Sequence, residues 1–366
     1  MRGVIGVILA GLGAFLILVA ILLPTWVTGQ VVKFPLNEYE TATLAATNAS
    51  YFSPSSLSEK TGVNMEATYT IKGDASKGSS STAVWNEFDW VYDRTNRQPV
   101  QSMTRTFAFD RRTGQLVNCC GESLNGDKSV RQSGLVGYVF PFGTQKQTYM
   151  VYDTTLKRPM PFTYSGTTTV EGIQTYEFAE NVTPTQVATI SVPGSFVGSK
   201  APVVSAPEFD QLHLIYSIDP ETGALLNVNE HQTTTLHNPD TGATALTLFD
   251  ADLIVTPASL HEIVGLDNNG RNELALLETI LPLALGIAGG VALLAGIFLA
   301  RKPRGEQPAL ASVAPEAAGA AAAEPGPGRH SAELAGVMPG LDDSTQELAE
   351  APEGEGPDAS GRRPGR

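Results

Sequence analysis

The stretch VIGVILAGLGAFLILVAILL, residues 4–23, decides the architecture, because it is an unbroken apolar run without a single charge. As a helix it is long enough to cross a hydrocarbon core of about 30 Å. A second run, ILPLALGIAGGVALLAGIFLA, occupies residues 280–300 and is broken only by Pro282 and four glycines. Arg2 precedes the first run, whereas Arg301, Lys302 and Arg304 follow the second. Lys and Arg accumulate on the cytoplasmic side of membrane spans. Both termini are therefore predicted in the cytoplasm, with everything between the spans outside. The alternative for residues 4–23 is a cleaved secretory signal, but the apolar part of such signals usually covers only about 7–15 residues.

The chain thus divides into a cytoplasmic N-terminus (1–3), a transmembrane helix (4–23), an extracytoplasmic domain (24–279), a second transmembrane helix (280–300) and a tail (301–366). The tail is built of Ala, Pro, Gly and Glu without Phe, Trp or Tyr. Such a composition buries too little apolar surface to offset chain entropy, so a disordered cytoplasmic tail is expected. The domain carries 16 Lys plus Arg against 27 Asp plus Glu, a net charge of −11. That surface repels polyanions, and no nucleic-acid partner is expected.

The fold class expected for the domain is mainly β (α+β), an antiparallel β-rich body flanked by the two terminal helices. Ser102 to Asp110 sets Met103, Arg105, Phe107 and Phe109 on one face, and Leu212 to Asp219 does the same with Leu212, Leu214, Tyr216 and Ile218. The sequences DRRTG (110–114), DPETG (219–223) and DTG (240–242) place an Asp and a Gly between apolar runs, as tight turns require. FAFDRRTGQLVN (107–118) and YSIDPETGALLN (216–227) share Asp, Thr, Gly, Leu and Asn at matching positions. Either a duplication or the common demands of a hairpin accounts for that. A helix is predicted to begin near Asn268 or Asn269 and to run into the second span, while Trp26 suits an interfacial anchor after the first.

Chemistry-bearing motifs are few. Cys119 and Cys120 are adjacent and on the oxidising side. Their Cα atoms lie about 3.8 Å apart across a trans peptide, below the usual disulfide range. A vicinal disulfide, bonds to another chain and a reduced pair all remain open. His213, His231, His237 and His261 lack the spacing of a zinc site, so no metal and no cofactor is expected. The Gly194–Gly198 segment places its glycines wrongly for a nucleophile elbow. Carboxylates paired across strands could serve a glycosidase-like reaction, but the sequence locates no such pair and no catalytic residue is assigned. Membrane barrels need many strands with apolar outer faces and aromatic girdles. This chain spends its apolar residues on two helices, and a pore formed by it alone is not expected.

The segments Val117-Asn118-Cys119-Cys120-Gly121-Glu122, Phe140-Pro141-Phe142-Gly143-Thr144 and Tyr149 to Asp153 carry a resemblance. With Gly172 to Phe178, Val192-Pro193-Gly194 and Asp219 to Gly223, in that order between two terminal spans, residues 1–300 resemble the actinobacterial DUF3068 family, labelled the porin PorA family. The resemblance implies a plasma-membrane protein facing the cell wall, in a family connected with maturation of envelope lipoglycans, and it transfers no catalytic residue.

The expected function is non-enzymatic: a cell-envelope protein whose outer domain binds or presents lipid or lipoglycan, with the bilayer, such a ligand and envelope biosynthesis proteins as partners. The alternatives are a glycan-processing enzyme using paired carboxylates and a two-span receptor or scaffold. An apolar tunnel would favour lipid handling, convergent carboxylates an enzyme, and a solid core a scaffold. The candidate recognition loop runs from Cys119 to Tyr149 and presents Phe140, Pro141, Phe142, Gly143 and Tyr149. The competing reading packs Phe140-Pro141-Phe142 into the core.

Overall fold

The computed structural model describes residues 2–301, so the expected disordered tail, apart from Arg301, lies outside the described residues. Arg2–Val31 form one helical run, α1, and Pro257–Ala300 form another, α2, both long and apolar enough to cross a membrane. Each contains one π turn, at Leu23–Val27 and at Leu276–Ile280. Pro24 lies within the first and Pro282 just past the second, and a proline cannot donate the regular helical bond.

The second helix starts well before the expected Asn268. Its N-cap is Thr256, whose hydroxyl accepts the amide of Ser259, with Pro257 at the first helical position. That pair is a regular start signal. Ser259 in turn ties the helix to the sheet by accepting the Thr43 amide at 2.9 Å.

The two helices pack on each other along small residues spaced by seven, close to two helical turns. In α1 these are Gly6, Gly13 and Ala20, and in α2 they are Gly289 and Gly296, all buried. A Cβ at Gly13 would stand 2.4 Å from the Leu293 nitrogen, and one at Gly296 would stand 2.3 Å from the Ala10 nitrogen. Backbone meets backbone there, as in helix pairs built for lipid.

Twelve strands lie between the helices: β1 (Tyr39–Ser53), β2 (Ser58–Gly73), β3 (Thr82–Asp93), β4 (Gln98–Asp110), β5 (Leu116–Val117), β6 (Ser123–Leu124), β7 (Tyr149–Asp153), β8 (Arg158–Val170), β9 (Ile173–Pro193), β10 (Val203–Ile218), β11 (Leu225–His237) and β12 (Thr244–Val255). They form one sheet in the order β5-β4-β3-β2-β1-β12-β11-β10-β9-β8-β7, with β6 beside β4. The first and last long strands pair in the middle, so the sheet edges fall at β5 and β7. Strand twist curls this antiparallel sheet into a half-barrel.

One short segment laces the edges together. The Leu116 amide donates to the Gly134 carbonyl and the Val136 amide to that of Gly114, while the Leu135 amide donates to Met150 and the Tyr152 amide to Leu135. Residues 134–136 therefore bond to the β5 side and the β7 side at once. The two DxxTG turns dock on the continuation of this segment. A Cβ on Gly114 would lie 2.5 Å from the Val139 carbonyl oxygen and one on Gly223 would lie 2.1 Å from that of Phe140, and both glycines hold φ near +70°. Glycine is required at both places for conformation and for space.

Alternation sorts the faces as expected for β4 and β10: Arg105, Phe107 and Phe109 are buried, as are Leu214 and Ile218. On β1, β2, β11 and β12 the outer face is largely polar, whereas β3 sets Phe88 and Trp90 outward. Thr41 and Thr43 sit opposite Thr70 and Thr68, and His231 and Thr233 opposite Asp252 and Asp250. These rows lack the apolar belt of a lipid-immersed barrel.

Candidate functional site: a two-chambered lumen

Inside the half-barrel are two adjoining chambers, each of about 490 Å³. The first is apolar. Its walls are Leu44, Ile71, Trp85, Leu226, Val228 and Val255 from β1, β2, β3, β11 and β12, and α2 covers it with Ile263 and Leu266. Its lower rim is made by Val31 and Val32 where α1 ends and by Leu274 and Leu277 where α2 approaches its apolar half. The chamber therefore extends to the feet of the two membrane-length helices. Five acids border it, Glu38, Glu40, Glu230, Asp267 and Glu273; of these Glu40 and Asp267 are pushed up to about 7 first by burial, then by Glu38 beside Glu40 and by Asp219 beside Asp267. Asp267 also accepts a bond from Thr222, and Arg271 reaches Asp219 at 2.8 Å, which ties the DPETG turn to α2.

The second chamber is polar and acidic. Inward positions of β3, β9, β10 and β11 supply Glu87, Asp89, Glu180, Asp210 and Glu230, and Asp153 ends β7. Arg105 from β4 is the buried cation among them. It stands 3.4 Å from Glu87, donates to Gln132 at 2.7 Å and to the Val136 carbonyl at 3.3 Å, and lies over the Phe107 ring. Tyr138 donates to the other Glu87 oxygen. Tyr69, Tyr138, Tyr216 and Glu230 line both chambers and mark where they meet.

Burial is the leading cause of the raised pKa values in this cluster. It pushes Glu180 up to about 8, aided by the neighbouring Asp153 charge. Glu230 rises to about 7 and Asp210 to about 6, while Asp89 stands well above the carboxylate range from burial and then from Glu87. A carboxyl whose pKa is higher folded than unfolded binds more protons in the folded state, so stability falls as pH rises between the two values. The window runs from about pH 4.5, the ordinary glutamate value, to the value of about 8 at Glu180. Lowering pH from about 8.5 to about 5.5 should accordingly raise the thermal midpoint, since a tenfold difference in proton affinity between folded and unfolded chain is worth about 1.4 kcal/mol. Glu180→Gln should flatten that dependence; an unchanged profile in this variant would remove Glu180 from the account.

The loop residues singled out by sequence divide between core and chamber. Phe140 is fully buried, stacked at 5.3 Å on Phe178 and set edge-on to Tyr149. The Pro141 carbonyl accepts from Thr144, Gly143 turns the chain at φ +70°, and the Tyr149 hydroxyl accepts the Gln145 amide. Phe142 stacks on Phe34 at 4.6 Å and lines the apolar chamber. Cys119 and Cys120 are bonded to each other, exposed, and border neither chamber. His231 and His261 pair with Asp252 and Glu171 on the surface.

The acidic cluster is what sequence reading missed. In WNEFDWVYD (85–93) either alternate set is credible as the inner face, and the aromatic set Phe88, Trp90 and Tyr92 is the more hydrophobic. The structure turns Trp85, Glu87, Asp89 and Val91 inward instead.

A family model described as Porin PorA matches residues 5–298, which takes in both helices and the whole sheet. No curated protein matches the chain. The family's description runs against the expectation that this chain forms no pore.

Proposed function

The chain belongs to the Porin PorA family, and within it we propose a membrane protein whose half-barrel binds or presents a membrane lipid, or a lipoglycan built on one, by taking its hydrocarbon chain into the apolar chamber. One observation carries this reading: the apolar chamber is lined, where the two membrane-length helices meet the sheet, by residues of both helices. A chain leaving the bilayer there exchanges one apolar surrounding for another, at about 25 cal/mol per Å² kept from water. In this reading both helices span the plasma membrane, both termini are cytoplasmic, and the sheet faces the cell envelope, where biosynthetic proteins would receive or deliver the ligand.

The family's name supports a second reading, a pore. The chambers adjoin through the sheet's interior, and an acidic lumen would pass cations. The polar outer rows weigh against immersion of the strands in lipid. Unitary cation conductance of the purified chain in planar bilayers, altered by Glu230→Gln, would replace the lipid reading with this one.

The direct test is mass spectrometry of organic extracts from the detergent-purified full chain, beside an unrelated two-span protein handled identically. The expected result is a lipid enriched in the former. Val228→Trp, which fills the chamber from β11, should lower that enrichment about tenfold while circular dichroism stays unchanged. Equal lipid in Val228→Trp and in the parent chain would mean that the lipid sits elsewhere.

A further inference from the structure

The polar chamber contains buried groups that lack hydrogen-bond partners among the described residues. They are one oxygen each of Asp89 and Glu180, one terminal nitrogen of Arg105 and the Tyr152 hydroxyl. All four side chains border the chamber, and all are more than nine-tenths buried, with exposures of 8, 2, 3 and 4 %. A buried polar group left unpaired costs about 1–3 kcal/mol. Four at one cavity suggest partners supplied from outside the chain.

The kinds of group involved narrow the ligand. The guanidinium nitrogen can only donate, ionised carboxylate oxygens can only accept, and the phenol and a protonated carboxyl can do either. An ammonium ligand would satisfy the acids but offer nothing to Arg105, and it would add a second cation beside it. A phosphate would suit Arg105 but face seven lining carboxyl groups against only Arg105 and Lys157. Hydroxyl groups donate and accept, and carry no charge. Gln101, Gln232, Thr234 and Tyr216 on the same walls add further neutral donors and acceptors.

We infer that the polar chamber is a headgroup site for an uncharged polyhydroxylated group, a glycosyl or similar polyol, carried on the hydrocarbon chain held next door. This rests on the lipid reading above, because the two chambers share Tyr69, Tyr138, Tyr216 and Glu230 and one amphiphile spans both. The size of the chamber, about 490 Å³, suits a sugar rather than a single ion, and no metal-holding group of acids and histidines occurs among the described residues.

The experiment uses the full chain in lipid nanodiscs and four ligands with the same tail: octyl β-D-glucoside, octanol, octyl phosphate and octylammonium, each below its micelle-forming concentration. Trp85 lines the apolar chamber and is one of three tryptophans; Trp26→Phe with Trp90→Phe leaves it as the sole fluorescent reporter. Octyl glucoside is expected to bind roughly tenfold more tightly than octanol, about 1.4 kcal/mol, and Glu180→Leu should erase that advantage. Equal affinity for glucoside and octanol would overturn the headgroup site while leaving the chain site standing. Binding of neither would overturn both. Tighter binding of the phosphate or the ammonium would overturn the neutral-polyol assignment. Release of free glucose over time would overturn a binding role in favour of hydrolysis by the converging carboxylates.

Discussion

Arg105→Met is expected to destabilise the outer domain by about 3–5 kcal/mol, the range found when one partner of a buried ion pair is removed. Both partners are sealed: the side chains of Arg105 and Glu87 are each 2 % exposed. Methionine roughly matches the length of the stem but leaves Glu87 with the Tyr138 hydroxyl and no cation. Two further bonds are lost, to Gln132 and to the Val136 carbonyl, and these hold the segment that laces the sheet edges. Chemical denaturation of the detergent-solubilised chain measures the loss. Adding Glu87→Gln to Arg105→Met should return a large part of it, because the stranded charge is gone. If the double variant is as unstable as the single, the lost bonds to the lacing segment dominate instead.

The architecture was legible because its signals are long or stereochemically strict. Two long, charge-free apolar runs point to membrane-length helices, and the Asp-x-x-Thr-Gly turns each need a side-chain acceptor and a residue at positive φ. Both turns form: Asp110 accepts the amides of Arg112 and Thr113, and Asp219 accepts that of Glu221. The start of α2 was missed although Thr256-Pro257 announces it, because the segment after it is polar and weakly periodic. The lumen was not legible for a different reason. Period-two patterns state which residues share a face, not which face is inside. In β3 the hydrophobic set points outward and the acidic set inward, so the usual rule for choosing between them gives the wrong answer. The choice is made by partners far away in sequence: Arg105 and Tyr138 give Glu87 its bonds, and the chamber gives Asp89 its space. Phe140 and Phe142 show the same dependence. Two residues apart in one loop, one fills the core beside Phe178 and the other crosses to Phe34 at the apolar chamber.

Gly13→Leu should separate the two helices, with a loss at or above the ~1–3 kcal/mol typical of overpacking. The usual escape from overpacking, rotation of a flexible neighbour, is closed here. What a side chain at residue 13 meets is backbone: the Leu293 nitrogen, the Gly289 oxygen and the Leu293 Cα, all within 2.8 Å of the new Cβ. Gly11, two residues earlier, meets nothing within 4 Å, so Gly11→Leu points away from the helix pair and should leave the thermal midpoint unchanged or slightly raised. The two variants have the same composition and nearly the same hydropathy, which cancels any effect on membrane insertion and isolates the contact. Equal midpoints for the two would mean that the facing glycines of α1 and α2 do not determine the pairing, and that the sheet alone holds the helices together. The contact also bears on the apolar chamber, because Val31 and Leu277 at the helix feet line it. A helix pair pushed apart by Gly13→Leu should therefore widen the chamber there and weaken lipid retention along with stability, whereas Val228→Trp blocks the chamber and should weaken retention alone.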